Sequence, residues 1–159
     1  QAEDGIRDAR SSLVGSEMCI RDRSSRGPRG TLIYLDTSVA LAHLLAEDRR
    51  PPDSLWQSQL IASRLLEYEV WSRLHALGLA ESHASATEAL LGRVALLELS
   101  PPVLARALEP FPARVRTLDA LHLSSLHFLV TSGQTIELAS YDQRMLDAAV
   151  ATGFNLARL

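Results

Sequence analysis

The sequence predicts an α/β fold: a parallel sheet with helices on both faces. Three observations carry this reading. Five short apolar runs alternate with six helical patterns along residues 31–159. The first run, Thr31-Leu-Ile-Tyr-Leu35, is apolar, β-branched and aromatic throughout, as a strand covered on both faces must be. Glycines at 78, 133 and 153 fall just past periodic segments, where helices stop.

The elements follow in order. The first strand runs into Asp36-Thr37-Ser38, which offers N-cap chemistry to a helix over Val39–Glu47. Asp48 to Asp53 is charged and holds Pro51-Pro52, so it reads as a loop. Gln59–Ala62 is a second strand. Ser63 can cap a helix over Arg64–Leu77, with Leu66, Val70, Leu74 and Leu77 on one face. A helix over about Ser82–Leu91 precedes a strand at Val94–Leu99, closed by Pro101-Pro102. A short helix covers Val103–Leu108. Thr117 is the expected cap of an apolar helix over Leu118–Thr131. Thr135–Ser140 is a strand, Asp142–Thr152 a helix, and Phe154–Ala157 a last short strand.

Composition narrows the chemistry. The chain has 159 residues, 47% apolar and 22% charged, with a net charge of −3, which fits one globular domain. No apolar run approaches the ~18 residues of a membrane span. All 16 basic residues are arginine. A sequence without lysine excludes the P-loop phosphate binder and Schiff-base enzymes. A single cysteine, Cys19, cannot form an internal disulfide, so a reducing cytoplasm is the expected location.

Residues 1–23 show no sustained helical or strand period and no apolar signal-peptide core. Their five acids outnumber their four arginines, against a nucleic-acid-binding arm. QAEDGIRD and SLVGSEMCIRDR resemble in-frame translations of sequencing-adapter sequence. The resemblance implies that this stretch, with Cys19 and Met18, is not native protein. Ser24–Gly30 reads as a flexible linker. The expected organisation is a non-native or disordered segment over 1–30 and one domain over 31–159.

Four acids occupy positions that matter. In open α/β sheets, ligands sit beyond the carboxyl ends of the strands. Asp36 follows the first strand, and Asp142 follows the fourth. Asp119 lies in the first turn of the apolar helix, and Glu69 lies inside the helix after the second strand. Each alone has a plain explanation: a helix cap, a dipole-favoured first-turn acid, or a surface pair with Arg73 at i, i+4. Together they would repel one another unless cations neutralise them. Hard oxygen ligands suit Mg²⁺ or Mn²⁺, which can activate water and stabilise an in-line phosphoryl displacement. The residues therefore point to a metal-dependent phosphodiester hydrolase.

Four segments resemble those of the PIN-domain nucleases, most closely the bacterial VapC-type toxins. They are Leu35-Asp36-Thr37-Ser38, residues 62–69 (ASRLLEYE), residues 116–123 (RTLDALHL) and residues 140–144 (SYDQR). The likeness runs over about residues 31–159. It implies a three-layer α/β/α sandwich around a central parallel sheet. It implies Asp36, Glu69, Asp119 and Asp142 as catalytic metal ligands, supported by Ser38 and Ser140. It also implies RNA cleavage with Mg²⁺ or Mn²⁺, a VapB-type antitoxin and a homodimer. Glu67 and Glu69 lie about 200° apart on a helix, so only one can face the site. Glu69 shares the face of Leu65 and Leu66 and fits the family spacing better.

Rival readings fail on particular residues. A HAD-type phosphatase needs a second Asp where Ser38 stands, and a lysine. A receiver domain also needs the lysine. A dinucleotide-binding fold needs a Gly-rich turn after the first strand. The alternatives left open are a non-catalytic RNA-binding or scaffold PIN-like domain and a solitary RNA-processing nuclease. Arg73, Arg116 and Arg144 flank the acidic segments and could hold substrate phosphates; so could Arg64. His122 and His127, five apart, are poorly spaced to share a metal on a helix. Trp56 and Trp71 read as core or interface residues.

Overall fold

The computed structural model describes residues 32–159. The expectation for the segment before residue 31, including Cys19, lies outside the described residues. Among the described residues five strands, β1 (Leu32–Leu35), β2 (Gln59–Ser63), β3 (Val94–Leu97), β4 (Ile136–Ala139) and β5 (Asn155–Leu156), form one sheet in the order β3-β2-β1-β4-β5. Every pairing is parallel. The chain builds outward from β1 to one edge, then returns to β1's other side with β4. The strand order therefore reverses at the β1–β4 boundary, where an open parallel sheet leaves a crevice at its carboxyl edge.

Six helices among the described residues cover the sheet. They are α1 (Thr37–Leu44), α2 (Leu65–Ala76), α3 (Ala80–Leu91), α4 (Pro101–Ala107), α5 (Thr117–Thr131) and α6 (Gln143–Thr152). The pleat of β1 sends alternate side chains into two cores. Ile33 and Leu35 pack with Val39, Leu66, Val70, Leu74 and Leu90 from α1, α2 and α3. Tyr34 faces the other way, among Leu123, Leu126 and Leu129 of α5 and Met145 of α6. This is the expected α/β/α sandwich, with the sheet as the middle layer.

Several boundaries differ from expectation, each for a local reason. α1 starts at Thr37, not Val39, because Asp36 itself is the cap: its carboxylate accepts the Ser38 N–H at 3.2 Å. A 3₁₀ turn at Asp53–Gln57 follows the Pro51-Pro52 loop. Ser63 ends β2, and its hydroxyl also accepts the Leu65 N–H at 3.1 Å, so it helps cap α2. Pro101 and Pro102 open α4 and do not merely end β3; the N–H groups they lack have no partner in a first turn anyway. Thr117 lies inside α5. The cap is Arg116, whose backbone N–H donates to Asp119 Oδ2 at 3.2 Å. β4 and β5 are each shorter than their apolar runs.

The glycine stops are as read. Gly133 and Gly153 both hold φ of 86°, a left-handed turn that a Cβ makes costly. Trp56 lies against His43 with ring centroids 4.3 Å apart and the planes tilted by 43°, and Trp71 packs against the α1–α3 core. No helix among the described residues is long and apolar enough to cross a membrane.

Candidate metal and phosphodiester site

A cleft of about 720 Å³ opens at the carboxyl ends of β1 and β4. Its walls include Asp36, Glu69, Asp119 and Asp142, together with Arg73 and Arg116. Four separate segments thus deliver the four expected acids to one place. Asp36 comes directly off β1 and Asp142 caps α6 just beyond β4. Asp119 comes from the first turn of α5, and Glu69 from the second turn of α2.

Asp36 is held by a pair of hydroxyls. Its Oδ2 accepts from Ser38 Oγ at 2.5 Å and from Ser140 Oγ at 2.8 Å. Each hydroxyl in turn accepts a backbone N–H from the segment after β4. Tyr141 N–H reaches Ser38 Oγ at 2.9 Å, and Asp142 N–H reaches Ser140 Oγ at 3.0 Å. The two serines therefore tie the end of β1 to the loop carrying Asp142. Asp36 N–H also donates to the Ala139 carbonyl at 3.0 Å, extending the β1–β4 ladder by one rung.

Glu69 is held from the core. Ser63 N–H donates to Tyr34 Oη at 3.1 Å. The Tyr34 hydroxyl stands 3.0 Å from His122 Nδ1, and His122 Nε2 stands 2.8 Å from Glu69 Oε2. Burial pushes the Tyr34 phenol far above its ordinary value, so it keeps its proton. With its oxygen already accepting from Ser63, Tyr34 donates to Nδ1. That leaves Nε2 as the ring N–H aimed at Glu69. Thr37 Oγ1 also donates to Glu69 Oε2. Burial raises the Glu69 carboxyl, but the hydrogen bonds from His122 and Thr37, with the ring's charge when protonated, bring it below its ordinary value.

Asp119 shifts the opposite way. Burial raises its carboxyl most, the Arg116 N–H opposes that, and the nearby charges of Asp142 and Asp36 raise it further. Asp142 Oδ1 accepts the Arg144 N–H at 2.9 Å, and its Oδ2 lies 4.0 Å from Arg116 Nη1. That exposed ion pair contributes little to stability.

The arginines divide. Arg73 and Arg116 line the cleft. Arg144 does not; it contributes its backbone N–H to Asp142, because it sits in the first turn of α6 where that donor is otherwise free. Arg64 is on another face, paired with Glu98 at 2.5 Å and Glu67 at 3.0 Å. The same contact takes Glu67 away from the cleft, so Glu69 is the α2 acid that lines it. His122 has a role that its spacing from His127 did not suggest. At 2% exposure it carries the core network out to the cleft. Its spacing from Asp119, i and i+3, was the available sign that both share one face of α5.

A model of the PIN domain matches residues 33–150. The chain belongs to the PIN domain family. Among solved structures, the Mycobacterium tuberculosis toxin VapC20, described as a Sarcin-Ricin loop cleaving toxin, is similar over 80% of this chain and 99% of that one. The two share 20% identity and superpose with a TM-score of 0.60, a likeness of fold. No curated protein matches the chain.

The donor set suits a hard divalent cation. Among the described residues, Asp36, Glu69 and Asp119 each commit one carboxylate oxygen to a hydrogen bond and leave the other without one. Asp142 does the same, with only the loose Arg116 pair on its second oxygen. Burial is the largest cause of the raised Asp119 carboxyl, and the nearby charges of Asp142 and Asp36 add to it. Among the described residues no three or more acidic, histidine or cysteine side chains are grouped closely enough to hold a metal ion as they stand. An open, carboxylate-lined cleft is the arrangement expected where Mg²⁺ keeps several waters and binds with substrate phosphate.

Proposed function

We propose that the chain is a metal-dependent endoribonuclease of the VapC toxin type, with Asp36, Glu69, Asp119 and Asp142 as its acidic site. One observation carries the reading: four carboxylates from four separate segments line a single cleft at the β1–β4 switch point, each with an oxygen left for a ligand. Asp36, Asp119 and Asp142 would hold Mg²⁺ or Mn²⁺, with Glu69 completing the set. When bound, such an ion lowers the pKa of water and offsets phosphate charge.

The chain's own residues supply the remainder. Ser38 and Ser140 orient Asp36, so that one carboxylate oxygen is presented to the cleft. His122 and Thr37 orient Glu69 in the same way. Arg73 and Arg116 stand where a diester oxygen would need a positive partner, and arginine matches phosphate bidentately. A VapB-type antitoxin and a homodimer belong to the same reading.

The test is removal and return of metal. Protein treated with a chelator and incubated with 5′-labelled RNA is expected to leave it intact. Adding Mg²⁺ or Mn²⁺ is expected to restore cleavage. Cleavage at an undiminished rate under chelator would refute metal dependence. RNA that is bound but never cut, with either metal, would favour the non-catalytic alternative.

A further inference from the structure

A second groove lies against the back of the acid cleft. It encloses about 570 Å³ at the carboxyl ends of β4 and β5. Two cations, Arg49 and Arg50, stand on one side, and the half-buried ring of Tyr141 forms another wall. The Arg49 guanidinium carbon is 6.0 Å from the Tyr141 ring centroid, the outer limit of a cation–π contact. Leu146 and Leu156 supply an apolar floor. Asp48 is the single acidic side chain in the lining, against two arginines.

The groove is held in place by the acid site. Ser140 lines the groove while its hydroxyl donates to Asp36 in the cleft. Tyr141 presents its ring to the groove while its N–H is held by Ser38. The next residue, Asp142, lines the cleft. The partition between the two is therefore the stretch Ser140–Asp142, which spans at most about 7 Å. The arginines reach it because α1 ends at Leu44 and Ala46 takes a left-handed φ of 50°, turning the chain back over the end of β4.

We propose that this groove is a nucleotide subsite. It takes the nucleotide next to the phosphate held in the acid cleft, and it rests on the nuclease reading above. Arg49 and Arg50 receive the sugar-phosphate backbone, and Tyr141 offers an aromatic face on which the base stacks. The charge pattern fits an RNA strand crossing from an acidic, cation-requiring cleft to a basic, aromatic groove. It also fits single-stranded substrate, because a base must leave its stack to lie on Tyr141.

The experiment measures equilibrium binding of a fluorescent, mixed-sequence single-stranded RNA, in the presence of chelator, across a salt series. The proteins are the unsubstituted full chain, Arg49→Ala/Arg50→Ala, Arg49→Lys/Arg50→Lys and Tyr141→Leu. The double alanine variant is expected to bind about tenfold or more weakly, with the salt slope reduced by about 1.4, the value for two lost single-strand phosphate contacts. The double lysine variant is expected to recover the slope. Tyr141→Leu is expected to weaken binding about fivefold or more at an unchanged slope. Unchanged affinity in the double alanine variant would overturn the proposal. So would a loss that lysine does not recover, since that marks a structural role for the loop. A change in sedimentation with RNA affinity intact would assign the groove to contact between copies of the chain and also overturn it.

A parallel assay uses bis(p-nitrophenyl) phosphate with Mn²⁺, a diester too small to reach the groove. Retained hydrolysis by the double alanine variant supports the division of labour between cleft and groove. If the unsubstituted chain hydrolyses neither this diester nor RNA, yet the arginine and tyrosine effects on RNA binding stand, the subsite holds and the nuclease reading fails.

Discussion

His122 Nε2 donates to Glu69 Oε2 across 2.8 Å, joining a buried ring of α5 to an acid of α2 at the wall of the cleft. Behind it, Tyr34 fills the other ring nitrogen at 3.0 Å. One face of the imidazole network thus belongs to the core and the other to the site. His122→Ala would strand a buried hydroxyl and a half-buried carboxylate and open a cavity. The expected loss of stability is about 3 kcal/mol, read by urea denaturation. RNA cleavage is expected to fall about 10- to 100-fold, the usual cost of removing an orienting partner. His122→Gln, whose amide can still donate to Glu69, is expected to recover part of both. A fully stable His122→Ala protein with undiminished cleavage would show that the network is idle.

The lowered Glu69 carboxyl has a definite pH signature. A carboxylate whose folded value lies below its ordinary 4.5 adds stability above that pH and loses it as pH falls through the folded value. Glu69→Gln keeps an acceptor oxygen but not the charge. At pH 7 it is expected to be less stable than the unsubstituted chain by about 1 kcal/mol, the difference between charged and neutral hydrogen bonds. Below pH 4.5 that gap is expected to close. A gap that is constant from pH 7 to pH 3 would contradict the charge-assisted bond.

Asp119 has the opposite sign. Its raised carboxyl means that ionised Asp119 is a burden on the metal-free fold at neutral pH. Asp119→Asn retains an oxygen for the Arg116 N–H while removing the charge facing Asp142 and Asp36. Without metal, at pH 7, the variant is expected to melt at or slightly above the unsubstituted chain, a gain below about 1 kcal/mol because the group is partly exposed. The gain is expected to vanish as pH falls through the raised Asp119 value, above the ordinary 3.8. A clear loss of stability at pH 7 would contradict a raised Asp119 carboxyl.

Ser140 tests the seam between β1 and β4. Its hydroxyl donates to Asp36 and accepts from Asp142 N–H, so Ser140→Ala removes both contacts at a position only 3% exposed. The expected cost is about 1–2 kcal/mol, with cleavage lowered about tenfold. Ser140→Thr, which keeps the hydroxyl, is expected to do less harm to cleavage if its extra methyl is accommodated. Equal loss from Ala and Thr would point to packing, not to the hydroxyl.

Much of this was legible along the chain, and the limits have physical causes. Strand and helix order followed from apolar periodicity, and Asp36 and Asp142 followed from their place just past strands. Local capping was harder. α5 is capped by an Arg116 backbone N–H donating to the Asp119 side chain, whereas a search for a leading hydroxyl assigns the cap to Thr117. Residues contributing through long-range contacts were missed. Tyr34 and His122 are 88 positions apart, and His122 and Glu69 are 53 apart. No local pattern encodes those meetings; the sheet order and the packing of α5 beneath it create them. Arg144 does not line the cleft for the converse reason: sequence proximity to Asp142 says nothing of which way a first-turn side chain leaves its helix.

On the proposed function, the four carboxylates form one metal-dependent centre that cuts RNA. Asp119→Asn tests it most directly, because that substitution removes a charge while keeping the helix cap. Purified unsubstituted and Asp119→Asn proteins are compared on 5′-labelled RNA with Mg²⁺, after melting curves establish that both are folded. Cleavage by the first and a fall of at least about 100-fold in the second are expected. Cleavage by a folded Asp119→Asn protein at the unsubstituted rate would contradict the proposed function.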